Sequence, residues 1–175
     1  MNQWLVRPAR IEDAVGIARV SVAAWRAAYV GLMADSALAR LSIEERARQW
    51  RDRLSDPSNA ATSFVTEQTG AIAGFVSVGA ARDEDLDPVR VGEVWAIYLL
   101  PLVWGKGAGQ VLWARALEQL RSQGHAEVVL WVLGGNVRAR RFYEKCGMTL
   151  DGGEKSPIED GMPLPHLRYR RSLGG

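Results

Sequence analysis

Gly105, Gly107 and Gly109 alternate with Lys106 and Ala108 and run into Gln110. They follow an apolar run rich in β-formers, Glu93 to Leu100, that is closed by Pro101. Beyond them Leu112, Ala116, Leu117 and Leu120 recur at three- and four-residue spacing. The order predicts a strand covered on both faces, a glycine turn and the start of a helix. Proline brings no N–H to a ladder, so the strand stops at Pro101. First-turn N–H groups have no partner inside their helix, and glycine lets an anion come close to them. The predicted chemistry is therefore phosphate binding by backbone, with a tight ligand-free connection as the other reading. A dinucleotide fingerprint needs glycine three residues after Gly107, where Gln110 stands. A P-loop needs a lysine followed by Ser or Thr after a spaced glycine pair, and none is present.

A second strand, Glu127 to Leu133, is followed by a short helix opened by Asn136, NVRARRFYEKCGM, which ends at Gly147. Together the two stretches resemble the GNAT superfamily of acyl-CoA N-acyltransferases over roughly residues 91–150. The resemblance is carried by Leu99 and Pro101, Gly107 and Gly109, then Asn136, Ala139, Phe142, Tyr143 and Gly147, in order and spacing. Trp104 departs from the pattern, because the family has Arg or Gln at the loop entry. The resemblance implies that the two strands are parallel neighbours that splay apart. It also implies that acetyl-CoA lies in the gap as co-substrate, its pantetheine bonded to the free edge of the first strand. On this basis Ile97, Leu99, Trp104, Gly105, Lys106, Gly107, Ala108, Gly109, Gln110, Asn136 and Tyr143 are the expected cofactor-binding residues.

Acetyl transfer from a thioester to an amine requires an amine freed of its proton, a polarised carbonyl, a held oxyanion and a proton for the departing thiolate. Tyr143 matches the position from which the family's tyrosine serves the leaving sulfur; the other reading is a core aromatic beside Phe142. A phenol of pKa about 10 is well matched to a basic thiolate. Glu93 stands where some family members carry a catalytic glutamate. Simple alternation over six residues puts it on the side of Leu99, unless a β-bulge intervenes. The other reading of Glu93 is a solvated carboxylate at the strand entrance. Asn136 is read both as a pantetheine partner and as a helix N-cap.

The remaining chain predicts the elements that must carry these residues. Gln3 to Arg7 reads as a first strand, and an apolar stripe from Ile11 to Trp25 as a helix reaching Tyr29 and capped by Gly31. A second helix is expected from Asp35 or Ser42 to Leu54. Ser63–Gln68 and Ile72–Ala80 form a hairpin through Thr69-Gly70. The stretch 151–165 is too rich in Gly, Pro and acids for regular structure, and Leu167–Arg171 reads as a last edge strand. The fold class is thus α/β, a GNAT-type mixed sheet with splayed parallel central strands and about four flanking helices, expected as one domain over residues 1–175.

With 175 residues, 47% hydrophobic, and a formal net charge of +2, the chain has a core's worth of apolar side chains and no basic stripe for nucleic acid. A single cysteine forms no internal disulfide, and no apolar run spans a bilayer or resembles a secretory leader. A cytoplasmic location is expected, without membrane or nucleic-acid partners; a homodimer stays open. His125, His166 and Cys146 lack any zinc-site spacing, so no metal is expected.

Trp25 and Tyr29, in SVAAWRAAYVGL, and Trp95 are the candidate acceptor-binding residues; the first two are read equally as an inner helix face. Asp83, Glu84, Asp85 and Asp87 are read as a solvated loop or as an attractor for a cationic substrate. The leading function is N-acetylation of a small primary amine of polyamine, amino sugar or amino acid type. A protein or peptide acetyltransferase and a non-catalytic acyl-CoA sensor are the alternatives.

Overall fold

The computed structural model describes residues 4–174. In chain order the elements are β1 (Leu5–Pro8), α1 (Ala14–Ala28), α2 (Asp35–Ala39), α3 (Ile43–Ser55), β2 (Thr62–Gln68), β3 (Ala71–Ala80) and β4 (Val91–Leu99). They continue with α4 (Ala108–Ser122), β5 (Glu127–Leu133), α5 (Val137–Lys145), β6 (Thr149–Lys155), β7 (Ile158–Glu159), β8 (Met162–Pro163) and β9 (His166–Ser172). Short 3-10 turns occupy Ile11–Asp13 and Pro101–Val103. The first expected strand begins at Leu5; Gln3 lies outside the described residues.

A 7-stranded mixed sheet runs β1-β2-β3-β4-β5-β9-β6. Its only parallel pair among the described residues is β4 with β5, as the crossover through α4 demands. That pairing extends from Val91↔Glu127 to Val94↔Leu130 and stops there. β4 continues along β3 to Leu99, while β5 continues along β9 to Leu133, so the two strands part in the middle of the sheet. On one face Leu112, Trp113, Leu120, Val128, Leu130 and Tyr143 pack under α4 and α5. On the other, Ile17, Val20, Trp50, Val65 and Phe75 pack under α1 and α3.

The expected second helix is two helices. Ser42 starts α3, its hydroxyl accepting the Glu45 N–H at 3.2 Å, and the five-residue α2 stands apart before it. Gly31, at φ +73°, follows the end of α1 in the left-handed conformation that only glycine adopts freely.

Two expectations for the C-terminal part fail together. β9 is interior, between β5 and β6, and β6 occupies part of the stretch read as irregular. The residues that suggested a loop have other work. Register passes from Leu150↔Tyr169 to Glu154↔Leu167, so Gly152 and Gly153 fall in a bulge. A Cβ on Gly153 would lie 2.6 Å from Arg168 Nε, so glycine there makes room for that guanidinium. Arg168 is 7% exposed and donates to Asp83, Asp85 and Asp151. The acids are its counter-ions, and they tie β9 to β6 and to the 82–88 loop. Replacing Arg168 by Met should leave Asp83 and Asp85 without their cation and Asp151 with Arg170 alone. The expected loss is about 3 kcal/mol, or roughly 6–12 °C in melting temperature. A thermal unfolding midpoint equal to the native one would contradict this account of the C-terminal strands.

Candidate active site

Where β4 and β5 part, a cavity of about 810 Å³ opens through the sheet. A smaller hollow of about 440 Å³, between Arg121 and Leu173 at the far end of β5, holds none of the motif residues.

At the cavity's α4 end, Gly105 and Gly107 are both left-handed (φ +74° and +91°), and Gly107 is the N-cap of α4. Among the described residues no carbonyl accepts the N–H of Gly107, Ala108, Gly109 or Gln110. These are unfilled donors clustered at a helix N-terminus, where a diphosphate is electrostatically favoured. A Cβ on Gly105 would meet nothing within 4 Å, which leaves open space for a ligand there. Ile97, Leu99, Trp104, Gly105, Gly109, Gln110, Asn136 and Tyr143 line the cavity; Lys106, Gly107 and Ala108 do not. The Lys106 carbonyl accepts from Trp4 Nε1 at 2.9 Å, which ties the turn to the chain's start.

The edge of β4 that faces the gap follows from alternation. Leu100 donates its N–H to Ala73, so the backbone groups of Ile97 and Leu99 point the other way, into the opening. Trp104 takes up one of them, its indole donating to the Leu99 carbonyl at 3.1 Å. The Arg138 guanidinium stacks 4.4 Å above the Trp104 ring. A cation thus stands beside the loop entry, delivered from α5 rather than from position 104 itself.

Asn136 accepts the Ala139 N–H at 3.2 Å and so acts as the N-cap of α5. Tyr143 lies on the same helix, edge-on to Phe142 and tilted against Trp113, with 8% of its surface exposed. Its hydroxyl has no hydrogen-bond partner among the described residues. Burial, with Tyr98 and Cys146 nearby, raises its pKa well above the ordinary tyrosine value. Burial also pushes up the half-buried Cys146 thiol, which packs against the α4 core.

Glu93 does not lie on the side of Leu99. Ser77 faces Ala96 while Val78 faces Val94, so Trp95 is an extra residue in β4. The bulge reverses the alternation: Ile97 and Leu99 pack into the α4 core, Ala96 and Tyr98 under α1 and α3. Glu93, beside Val129 of β5, falls on the α1 face. Its carboxylate is 2% exposed and receives three donors from Arg82: the backbone N–H (3.0 Å) and Nε (3.2 Å) on Oε2, and Nη2 (2.5 Å) on Oε1. A carboxylate has about four acceptor sites, so Oε1 retains one. The bland reading of Glu93 as a solvated carboxylate is excluded by this burial. The Trp95 indole donates to the Ala80 carbonyl, and the Arg82 guanidinium covers its ring at 4.4 Å.

Tyr29 lines the cavity and Trp25 backs it, edge-on at 5.1 Å. The Tyr29 and Tyr98 hydroxyls meet at 3.2 Å, and burial raises the pKa of both phenols. Sequence reasoning missed Tyr98, Arg82, Trp131, Lys155 and His166, all of which line the cavity. Trp131 carried a signal, an indole in an otherwise aliphatic strand; Lys155 sat in a stretch read as a loop and gave none.

Gly107→Glu should strain the left-handed turn and put a carboxylate beside the free N–H groups. Coenzyme A affinity is expected to fall by about 2–5 kcal/mol. Calorimetric binding equal to the native protein's would place the diphosphate elsewhere.

No helix among the described residues is long and apolar enough to cross a membrane. Nor does any group of three or more His, Cys, Asp or Glu among them have the arrangement to hold a metal ion.

Residues 15–148 match the acetyltransferase (GNAT) family. An uncharacterized N-acetyltransferase of Bacillus subtilis, YuaI, is 33% identical over 131 residues, 75% of this chain and 72% of that protein. The mycothiol acetyltransferase of Sanguibacter keddieii is 35% identical over 98 residues, which are 55% of this chain but 31% of that longer protein. The solved structure of the PaiA N-acetyltransferase of Thermoplasma acidophilum, in complex with coenzyme A, superposes with a TM-score of 0.73 at 19% identity. It covers 97% of this chain and 99% of its own.

Proposed function

This chain belongs to the acetyltransferase (GNAT) family, and from that membership we propose that it acetylates the primary amine of a small molecule with acetyl-CoA. The observation that carries the reading is the cavity between β4 and β5, which reaches from the free N–H groups of α4 past Tyr143 to Glu93 on the opposite face. Gly107 to Gln110 hold the diphosphate, assisted by Arg138, and the exposed edge of Ile97 and Leu99 holds the pantetheine with Asn136. Bound there, acetyl-CoA supplies the acetyl thioester.

The acceptor enters on the α1 face, between Trp95 and Trp131. Glu93 takes the proton of the attacking amine on the free site of Oε1. The Leu99 N–H draws charge onto the acyl oxygen. Tyr143 gives its hydroxyl proton to the departing sulfur and is reprotonated in the following exchange, so the proton lost by the amine balances the one gained by the thiol.

Peptide acetylation is disfavoured by the roof. Tyr29, Met33 and Leu38 pack on Leu133 and Leu164, and a Cβ on Gly135 would lie 2.5 Å from Leu32. Among the described residues these contacts cover that side against an extended chain. The test is thiol release over a panel of small amines and peptides, with coenzyme A binding measured in parallel. Turnover confined to peptides would replace the small-molecule reading, and tight binding without turnover on any amine would favour a sensor.

A further inference from the structure

Resting on the acetyltransferase reading, we infer that the acceptor amine carries a carboxylate, and that Lys155 reads it. Lys155 lies across from His166 in the β6–β9 register and on the α1 face of the sheet. Its ammonium sits 4.1 Å above the Trp131 ring, and both residues line the acceptor end of the cavity. The stack holds the cation at the cavity wall without neutralising it. No carboxylate of the described residues pairs with Lys155, although eleven other ion-pair contacts are formed.

The charges on this wall settle the class of acceptor. Glu93 is the one carboxylate of the described residues that lines the cavity, and Arg82 neutralises it. Asp83, Asp85 and Asp151 are close in the fold, but they are bound to Arg168 and do not line the cavity. Asp83 and Asp85 are therefore already neutralised, and Glu84 and Asp87 of the same loop do not line the cavity either. Lys155 leaves the acceptor end with an uncompensated positive charge, so a polyamine would bring a second ammonium against it. An amino sugar offers nothing to pair with it. A compact amino acid satisfies both ends: its amine at the gap by Glu93 and Tyr143, its carboxylate at Lys155, its body between the two indoles.

The test compares three acceptors of matched length with the full chain and acetyl-CoA: an amino acid, its amide and the corresponding diamine. Native protein should favour the amino acid by about tenfold in kcat/KM, the effect of one charge-assisted hydrogen bond. Lys155→Met should raise KM for the amino acid by a similar factor, hold kcat, and cost the amide clearly less, with the thermal unfolding midpoint verifying folding. Lys155→Glu should turn the preference toward the diamine. Preference of the native protein for the diamine or amide, or equal losses on all three in Lys155→Met, overturns the carboxylate inference while the acetyltransferase reading stands. Absence of turnover on every amine overturns both.

Discussion

Tyr143→Phe is expected to lower turnover about tenfold to a thousandfold while coenzyme A binding stays nearly intact. The phenol is buried against Phe142 and Trp113, and those contacts do not involve its oxygen. Its hydroxyl has no partner among the described residues, so stability should change by no more than about 1 kcal/mol. The raised pKa keeps the group protonated at working pH, as a proton donor must be. It also sets the sign of its pH linkage. The buried neutral phenol contributes stability that is full below the ordinary value of 10.0 and is lost progressively as pH rises above it. Rate loss should shrink with an acyl donor whose thiol is more acidic, since that thiolate needs less assistance. Equal losses for both donors would reduce Tyr143 to a positioning role.

Glu93→Gln should lower kcat by roughly a hundredfold to ten-thousandfold, with acetyl-CoA affinity held. Affinity holds because Glu93 faces α1, whereas the free N–H groups of Gly107 to Gln110 lie at the α4 end of the cavity. Glutamine keeps the size but turns an N–H2 toward Arg82, so a stability loss of about 1–3 kcal/mol should accompany the rate loss. Arg82→Gln separates the two effects: it loosens the carboxylate without removing it and should cost less in kcat. A Glu93→Gln enzyme with native kcat would leave Glu93 as a buried partner of Arg82 and no more.

The glycine-turn and α5 end of the cavity was legible because it is local. A glycine turn after an apolar strand, and Asn136 to Gly147 on one short helix, encode their geometry within a few residues. The wall around Glu93 and Trp131 was not. The bulge at Trp95 depends on Gly79 of the neighbouring strand, where a Cβ would lie 2.8 Å from the indole. Alternation alone therefore put Glu93 on the wrong face. Likewise the glycines and acids of the C-terminal stretch read as a loop, because Arg168, the residue that explains them, is brought there by a strand that follows. Lys155, at the end of β6, enters the wall by pairing with that strand. The charges of Asp83 and Asp85 carry no meaning until their counter-ion is known, and Arg168 is 85 and 83 residues away from them in sequence.

The central claim is that one cavity through the sheet joins an acyl thioester to an amine. A single-turnover reaction with limiting acetyl-CoA and an amino acid, followed for free thiol and N-acetylated product together, tests it most directly. The account predicts one N-acetyl product for each thiol released, both slowed in parallel by Tyr143→Phe. Thiol released without acetylated amine, or at a rate indifferent to the amine, would contradict it.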